Sequence, residues 1–183
     1  KVQLYYINKI RSFTSDTYKQ ESASGKFGDS GISMLSFHYT GINGLKAQSF
    51  YYYAPDLYST FVGQADYEVS VDNTHLFCVG AQYFNSGDGA KYAIRDGKNG
   101  GDDINLVALR ASIDTEEWML SLNYSQNFGM SGIVKGYGGL AKVYTSSMIA
   151  NGRGNYKPET WMLMSSYNLP LGSYESEVAF RFT

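Results

Sequence analysis

Few side chains in this sequence can ligate a metal, attack a carbonyl or carry a proton. There are two histidines, His38 and His75, and one cysteine, Cys78. Neither histidine has a cysteine or acidic companion at ligand spacing, so both read as polar or interfacial strand residues. Cys78 shares parity with Leu76 and Gly80 and has no base beside it. It reads as an inert small residue, not a nucleophile, and a lone cysteine allows no internal disulfide. Gly87-Asp88-Gly89 through Gly100-Gly101-Asp102-Asp103 is rich in Gly and Asp but lacks the Asp-x-Asp/Asn-x-Asp/Asn-Gly spacing of a calcium loop. Gly136-Tyr137-Gly138-Gly139 has no Gly-Lys-Ser/Thr after it, so it is no phosphate cradle. Asn123-Tyr124-Ser125 fits a glycosylation triplet but falls inside a strand pattern. No Ser-His-acid set is evident. The residues call for no enzyme, no catalytic group, no metal and no cofactor.

What remains is charge at regular positions. Lys9, Lys46, Asp66, Glu68, Arg110, Glu177 and Arg181 alternate with apolar neighbours and lie opposite the apolar face. In a sheet bathed by water they would be solvated outer positions. In a membrane barrel they must face the lumen, because Lys or Arg on the lipid side costs about 2–4 kcal/mol at the midplane. A lumen carrying both signs orients charged solutes. These seven residues are therefore candidates for a pore lining.

The elements that would position them must be strands. The chain has 183 residues, 16% of them aromatic, with 17 Tyr, 20 Gly and only 3 Pro. Charged residues make up 17%, below the usual quarter. Tyr, Gly, Ser and Asn with few charges suit β-structure with two contrasting faces. The net charge of −2 gives no electrostatic footprint for nucleic acid. No run of 18 apolar residues exists, so no helix spans a membrane, but that says nothing against a barrel. Lys1-Val2-Gln3-Leu4 already reads as strand, and the chain is expected to begin mid-protein.

Nine segments carry a two-residue period, near 1–10, 31–40, 45–54, 60–71, 74–84, 104–113, 117–127, 160–168 and 174–182. Four connections are short hairpin turns: Gly41-Ile42-Asn43-Gly44, Asp72-Asn73, Asp114-Thr115-Glu116 and Leu169-Pro170-Leu171-Gly172-Ser173. The alternate connections are longer: Arg11 to Ser30, Pro55 to Ser59, Asn85 to Asp103 and Gly129 to Glu159. Short turns at one end and long loops at the other describe an up-and-down transmembrane barrel. Segments of about 9–11 residues cross a bilayer, whereas soluble strands average about 5–6. The loop from Gly129 to Glu159 is long, Gly-rich and tyrosine-bearing, and is the candidate for folding inward.

Parity separates the faces. Val107, Leu109, Ala111 and Ile113 oppose Ala108, Arg110 and Ser112; Phe61, Gly63, Ala65, Tyr67 and Val69 oppose Gln64, Asp66, Glu68 and Ser70. Four segments place aromatics six apart on the apolar face: Phe77 with Tyr83, Trp118 with Tyr124, Trp161 with Tyr167, and Tyr174 with Phe180. Six residues span roughly 20 Å of strand. Rings at both ends of a small apolar band look like interfacial girdles. In "SFYYYAPDLYSTF", Ser49 to Phe61, Tyr51 and Tyr53 oppose Phe50 and Tyr52, which predicts one pair at the lipid interface and one at the pore mouth.

The chain resembles the OprD-type outer-membrane porins of Gram-negative bacteria, especially the epsilonproteobacterial branch. The likeness lies in "LKAQSFYYYAPDLYSTFVGQADYEV" (Leu45 to Val69), in "YTSSMIANGRGNYKPETWMLMSSYNL" (Tyr144 to Leu169) and in "LYYINKIR" (Leu4 to Arg11). It implies a barrel of about 18 strands, of which residues 1–183 form a single partial domain from the middle of the chain. It implies passive uptake of small solutes such as amino acids, peptides or other carboxylates in the bacterial outer membrane. It also implies a basic ladder facing acidic groups, with Lys46, Arg110 and Arg181 the only ladder members here. The partners are then a lipid bilayer and small-molecule solutes, not nucleic acid, and a homo-oligomer is allowed. The alternatives are a closed structural outer-membrane barrel and a soluble β-barrel that binds an apolar ligand.

Overall fold

The computed structural model describes residues 1–7, 9–10, 19–20, 31–55, 58–72, 74–88, 104–129, 143–145, 159–171 and 174–182. All described regular structure is β. The strands are β1 (Val2–Ile7), β2 (Lys9–Ile10), β3 (Lys19–Gln20), β4 (Ile32–Tyr39), β5 (Leu45–Ala54), β6 (Tyr58–Ser70), β7 (Leu76–Asp88), β8 (Ile104–Asp114), β9 (Trp118–Asn127), β10 (Glu159–Leu171) and β11 (Tyr174–Phe182). Nine of them form one sheet in the order β1-β4-β5-β6-β7-β8-β9-β10-β11, every neighbour antiparallel. Apart from the β2–β3 pair, chain order and sheet order coincide, as an up-and-down meander requires.

Turn chemistry fixes the short ends. Gly44 adopts φ 80° between β4 and β5, and a Cβ there would strike the carbonyl oxygen of Glu68. Its own carbonyl accepts the Glu68 amide at 2.8 Å, which ties the turn to the next strand. Between β6 and β7 the Asp72 carboxylate accepts the backbone amides of Thr74 and His75, both at 2.8 Å. Between β8 and β9 the Thr115 hydroxyl accepts the Trp118 amide and donates to the Trp118 carbonyl, each at 3.0 Å. These side chains replace ladder bonds that a tight turn cannot make.

Several strand limits differ from the sequence reading. The first segment is shared between β1, whose last residue is Ile7, and β2, which holds Lys9 and pairs with β3 in a separate two-stranded sheet. That small sheet has no sequence signature beyond a few polar residues. β7 runs on to Asp88, because Tyr58 and Ser59 of β6 extend to pair with Asp88 and Gly87. β10 includes Leu169, Pro170 and Leu171, paired with Ser176, Glu175 and Tyr174, so the last turn is shorter than its composition suggested.

The two faces are unlike, and the apolar one is outside. Leu109, Leu122 and Leu163 are 49%, 49% and 48% exposed, and Val79, Leu120 and Tyr67 are exposed with them. Cross-strand partners carry this surface as rows: Ala65, Ala81, Leu109, Tyr124 and Trp161 form one, Tyr67, Val79, Ala111, Leu122 and Leu163 the next. The opposite face is polar over most of its height. At its long-loop end lies the buried cluster of Ile32, Met34, Phe50, Tyr52, Ala54, Val62, Phe84 and Ile104, with Ile7, Leu106 and Val143 packed on it. Tyr51 and Tyr53 are exposed on the outer face as expected. Phe50 and Tyr52 do face inward, but Tyr52 is fully buried. The inward pair therefore belongs to a packed plug and not to an open mouth.

Candidate functional site

Four inward rows build the site. Lys46, Asp66, Gly80, Arg110, Asn123 and Met162 are successive cross-strand partners from β5 to β10. The row above it, toward the long loops, holds Gln48, Gln64, Gln82, Ala108 and Ser125. The two rows below run Glu68, Cys78, Ser112, Ser121 and Met164, then Ser70, Leu76, Asp114, Met119 and Ser166. Because side chains alternate along each strand, every member of a row points to the same side.

Asp66 is the hub. Its Oδ1 accepts Nη2 of Arg110 at 2.9 Å and the hydroxyl of Tyr144 at 2.6 Å; its Oδ2 accepts Nε2 of Gln64. Gln64 Oε1 in turn accepts Nε2 of Gln48 at 3.1 Å and of Gln82 at 3.0 Å. A buried carboxylate requires this many donors, since its lone pairs have no water to meet. The Arg110 guanidinium also reaches Sγ of Cys78 at 3.3 Å, and its centre lies 4.7 Å from the Tyr144 ring centroid, a cation–π distance. Its Nε is buried without a partner.

Tyr144 does not belong to the sheet. It comes from the connection between β9 and β10 and is held to the inner wall at several points. Its amide donates to Gln82 Oε1 at 3.0 Å, and its hydroxyl reaches Asp66. The neighbouring Thr145 hydroxyl lies 2.6 Å from that of Ser125, and Val143 rests on the apolar cluster. Gly80 makes the space: a Cβ there would meet Asp66 Oδ1 and the Tyr144 hydroxyl, with Tyr144 Cζ at 2.9 Å. Burial, and then the Asp66 carboxylate, push the Tyr144 hydroxyl well above its ordinary range, so it stays a neutral donor. The described part of the Gly129–Glu159 connection thus folds inward. Beside it is a cavity of about 520 Å³ whose lining includes Gln64, Glu68, Arg110, Asp114, Asn123 and Met162.

Of the seven charged candidates, the structure brings four together. Lys46 Nζ contacts both carboxylate oxygens of Glu68 at 2.7 Å, and Arg110 pairs with Asp66. Lys9 lies in β2, which is not a member of the nine-stranded sheet, and its side chain falls outside the described residues. Glu177 and Arg181 lie in β11 opposite Asn168 and Met164 in register, with side chains outside the described residues. Sequence parity set Gln64 on the polar face beside Asp66, but it did not single out Tyr144, Gly80, Asp114, Gln48 or Gln82. Gly80 did carry a signal, because Gly inside a strand marks close approach by another group.

The aromatics fall at two levels of the outer face. Trp118 pairs in register with Tyr167, and six residues along both strands Tyr124 pairs with Trp161, their rings 4.6 Å apart. Phe77 and Tyr83 are exposed on β7, and the Tyr83 ring lies 6.3 Å from that of Phe61. Phe180 is exposed; the side chain of Tyr174 lies outside the described residues. His75 proves to have an acidic companion, since its Nδ1 lies 2.9 Å from Asp72 Oδ1 in the hairpin. His38 packs edge-on against Phe50 at 5.4 Å. Cys78 is buried against Arg110, and among the described residues no group of three His, Cys, Asp or Glu could hold a metal. The Gly- and Asp-rich stretch from 89 to 103 and the glycines at 136–139 lie outside the described residues.

No family model matches this sequence, and no curated protein matches it. Solved structures do. The crystal structure of Acinetobacter baumannii OccAB4 matches 98% of this chain and 45% of its own at 18% identity, with a TM-score of 0.70. Pseudomonas aeruginosa OpdL matches 90% of this chain and 40% of its own at 13% identity and a TM-score of 0.62. Pseudomonas aeruginosa OprD matches 90% and 39% at 14% identity and 0.61. The fold is that of these proteins. This chain spans less than half the length of each. OprD stands among the matched structures, as the resemblance in the sequence leads one to expect; nothing in the likenesses singles out a bacterial branch.

Proposed function

We propose that this chain is about half the wall of an OprD-like outer-membrane porin, a barrel of about 18 strands that passes small solutes by diffusion. One observation carries the reading: below the buried cluster, the leucine, valine and aromatic rows face outward and are exposed, while the charged and amide side chains of the same strands face inward. Exposed apolar side chains in contiguous rows across neighbouring strands are what a soluble monomer avoids. Lipid satisfies them, and the aromatic levels at both ends fit the two interfaces. Lys46, Asp66, Glu68 and Arg110 line the lumen, and the register of β11 supports Glu177 and Arg181 beside them. The segment around Tyr144 narrows the passage. No catalytic residue is needed, because the wall only has to be wet, narrow and charged.

The soluble alternative would need the leucine rows buried, and they are exposed. The test is incorporation of the full reading frame containing this chain into planar bilayers. Stepwise conductance is the expected result. Folded barrels without conductance would favour a closed structural barrel. A folded monomer in detergent-free buffer would sink the membrane reading altogether.

A further inference from the structure

Three of the six methionines in the sequence stand on one stretch of the inner wall. Met119 is on β9, Met162 and Met164 are on β10, and all three line the cavity of about 520 Å³. Register fixes their spacing. Met119 is opposite Ser166 and Met164 is opposite Ser121, so Met119 and Met164 are diagonal neighbours. Residues so placed are about 7–8 Å apart, a gap that long side chains close. Met162 lies two residues from Met164 on the same strand and face, about 7 Å away. The three thioethers therefore form two overlapping pairs that share Met164.

Core packing does not account for them. The buried apolar cluster lies at the long-loop end and contains Met34, not these three. Their own partners in register are Asp114, Ser166, Ser121 and Asn123, all small or polar. Met119 and Met164 are only half-buried, at the wall of the cavity. A thioether there brings a polarisable lone pair on a stem with three rotatable bonds. Asp114, beside Met119 in register on β8, adds a carboxylate at the same place. Thioethers select soft ions such as Cu(I), whereas Zn(II) takes thiolate, imidazole and carboxylate, and Mg(II) and Ca(II) take oxygen. Among the described residues no group of three His, Cys, Asp or Glu offers a site for those harder ions. Cys78 stands three strands from Met164 along one row, with the Arg110 guanidinium 3.3 Å from its Sγ, and is not part of the set.

We propose that Met119 and Met164, with the Asp114 carboxylate beside them, bind a soft monovalent metal ion, Cu(I) or its analogue Ag(I). Met162 offers the next position along the wall. The site goes beyond passage of small solutes and stands on the inner face alone.

The test is isothermal titration of silver nitrate, in chloride-free buffer, into the full reading frame folded in detergent. Cys78→Ser removes the competing thiol and serves as the reference protein. Against it, Met164→Leu breaks both pairs and should lose one equivalent of bound Ag(I). Met119→Leu combined with Met162→Leu should lose the same equivalent, because a single thioether is a weak ligand. Asp114→Asn should weaken the site about tenfold. Met34→Leu should leave the titration unchanged. Leu for Met conserves volume, so these variants keep the fold. Titrations of Met164→Leu and of the Met119, Met162 double variant that match the reference overturn the proposal. So does Zn(II) binding that the same substitutions abolish, because the site would then be a hard one. The titration needs no conductance. A folded protein that loses the equivalent as expected but passes no current overturns the channel reading and leaves this site standing; a conducting protein with unchanged titrations does the reverse.

Discussion

Gly80→Ala tests the clasp that holds the inward segment. The backbone at Gly80 is ordinary strand, so alanine costs nothing in conformation. It should even favour the strand by about 0.5–1 kcal/mol, since glycine loses more entropy on ordering. The new methyl, however, would occupy the space of the Tyr144 hydroxyl and of Asp66 Oδ1. Neither can keep its place: Asp66 Oδ1 must turn aside a little, and the Tyr144 hydroxyl must find room elsewhere. Asp66 is anchored by Arg110 and Gln64, whereas Tyr144 hangs on a connection, so Tyr144 should leave. That forfeits a hydrogen bond to a charged acceptor, worth about 1.5–3 kcal/mol, and a cation–π contact worth about 0.5–1 kcal/mol. Tyr144 regains water when it leaves, so we take the low end, about 2 kcal/mol, or roughly a thirtyfold shift toward the released segment. Single-channel recording should show a larger conductance or frequent excursions to one, while the barrel itself unfolds no more easily than wild type. Conductance and noise identical to wild type would refute the claim that the segment at 143–145 narrows the passage.

Two further predictions concern the ends and the outer face. The Asp72 carboxylate is held well below its usual range, first by the Thr74 amide and then by His75 and the Thr74 hydroxyl. A depressed carboxylate contributes stability above its unfolded pKa of about 4 and loses it as pH falls through the folded value. Thermal melts from pH 5 to pH 2 should therefore show a decline in wild type that is smaller in Asp72→Asn; parallel curves would refute the linkage. On the outer face, Leu109→Arg places a charge near the middle of the leucine rows and should cost about 2–4 kcal/mol in a urea unfolding titration in bilayers. A cost under about 0.5 kcal/mol would mean that Leu109 faces water or protein.

The strands and their faces were legible in the sequence because their determinants are local. Alternation has a period of two, so a short run such as Val107 to Ile113 shows which residues share a side, whatever the partner strand. Gly44, Asp72 and Thr115 marked the hairpins for the same reason: a turn is closed by the chemistry of its own few residues. Parity could not say which side is inward. That was decided by the sheet as a whole, which leaves the leucine rows exposed and folds part of a connection onto the other face. The clasp was out of reach for a stronger reason. Asp66 and Arg110 are separated by 44 residues, and Asp66 and Tyr144 by 78. Their meeting depends on the register of three strands and the path of a loop, and no local pattern encodes either. From the sequence alone, Arg110 is a charge available to the lumen. Once the strands are placed, its distance to Asp66 makes it one half of a pair, and Asp114, which reads as a turn residue, joins the inward row with Leu76 and Met119.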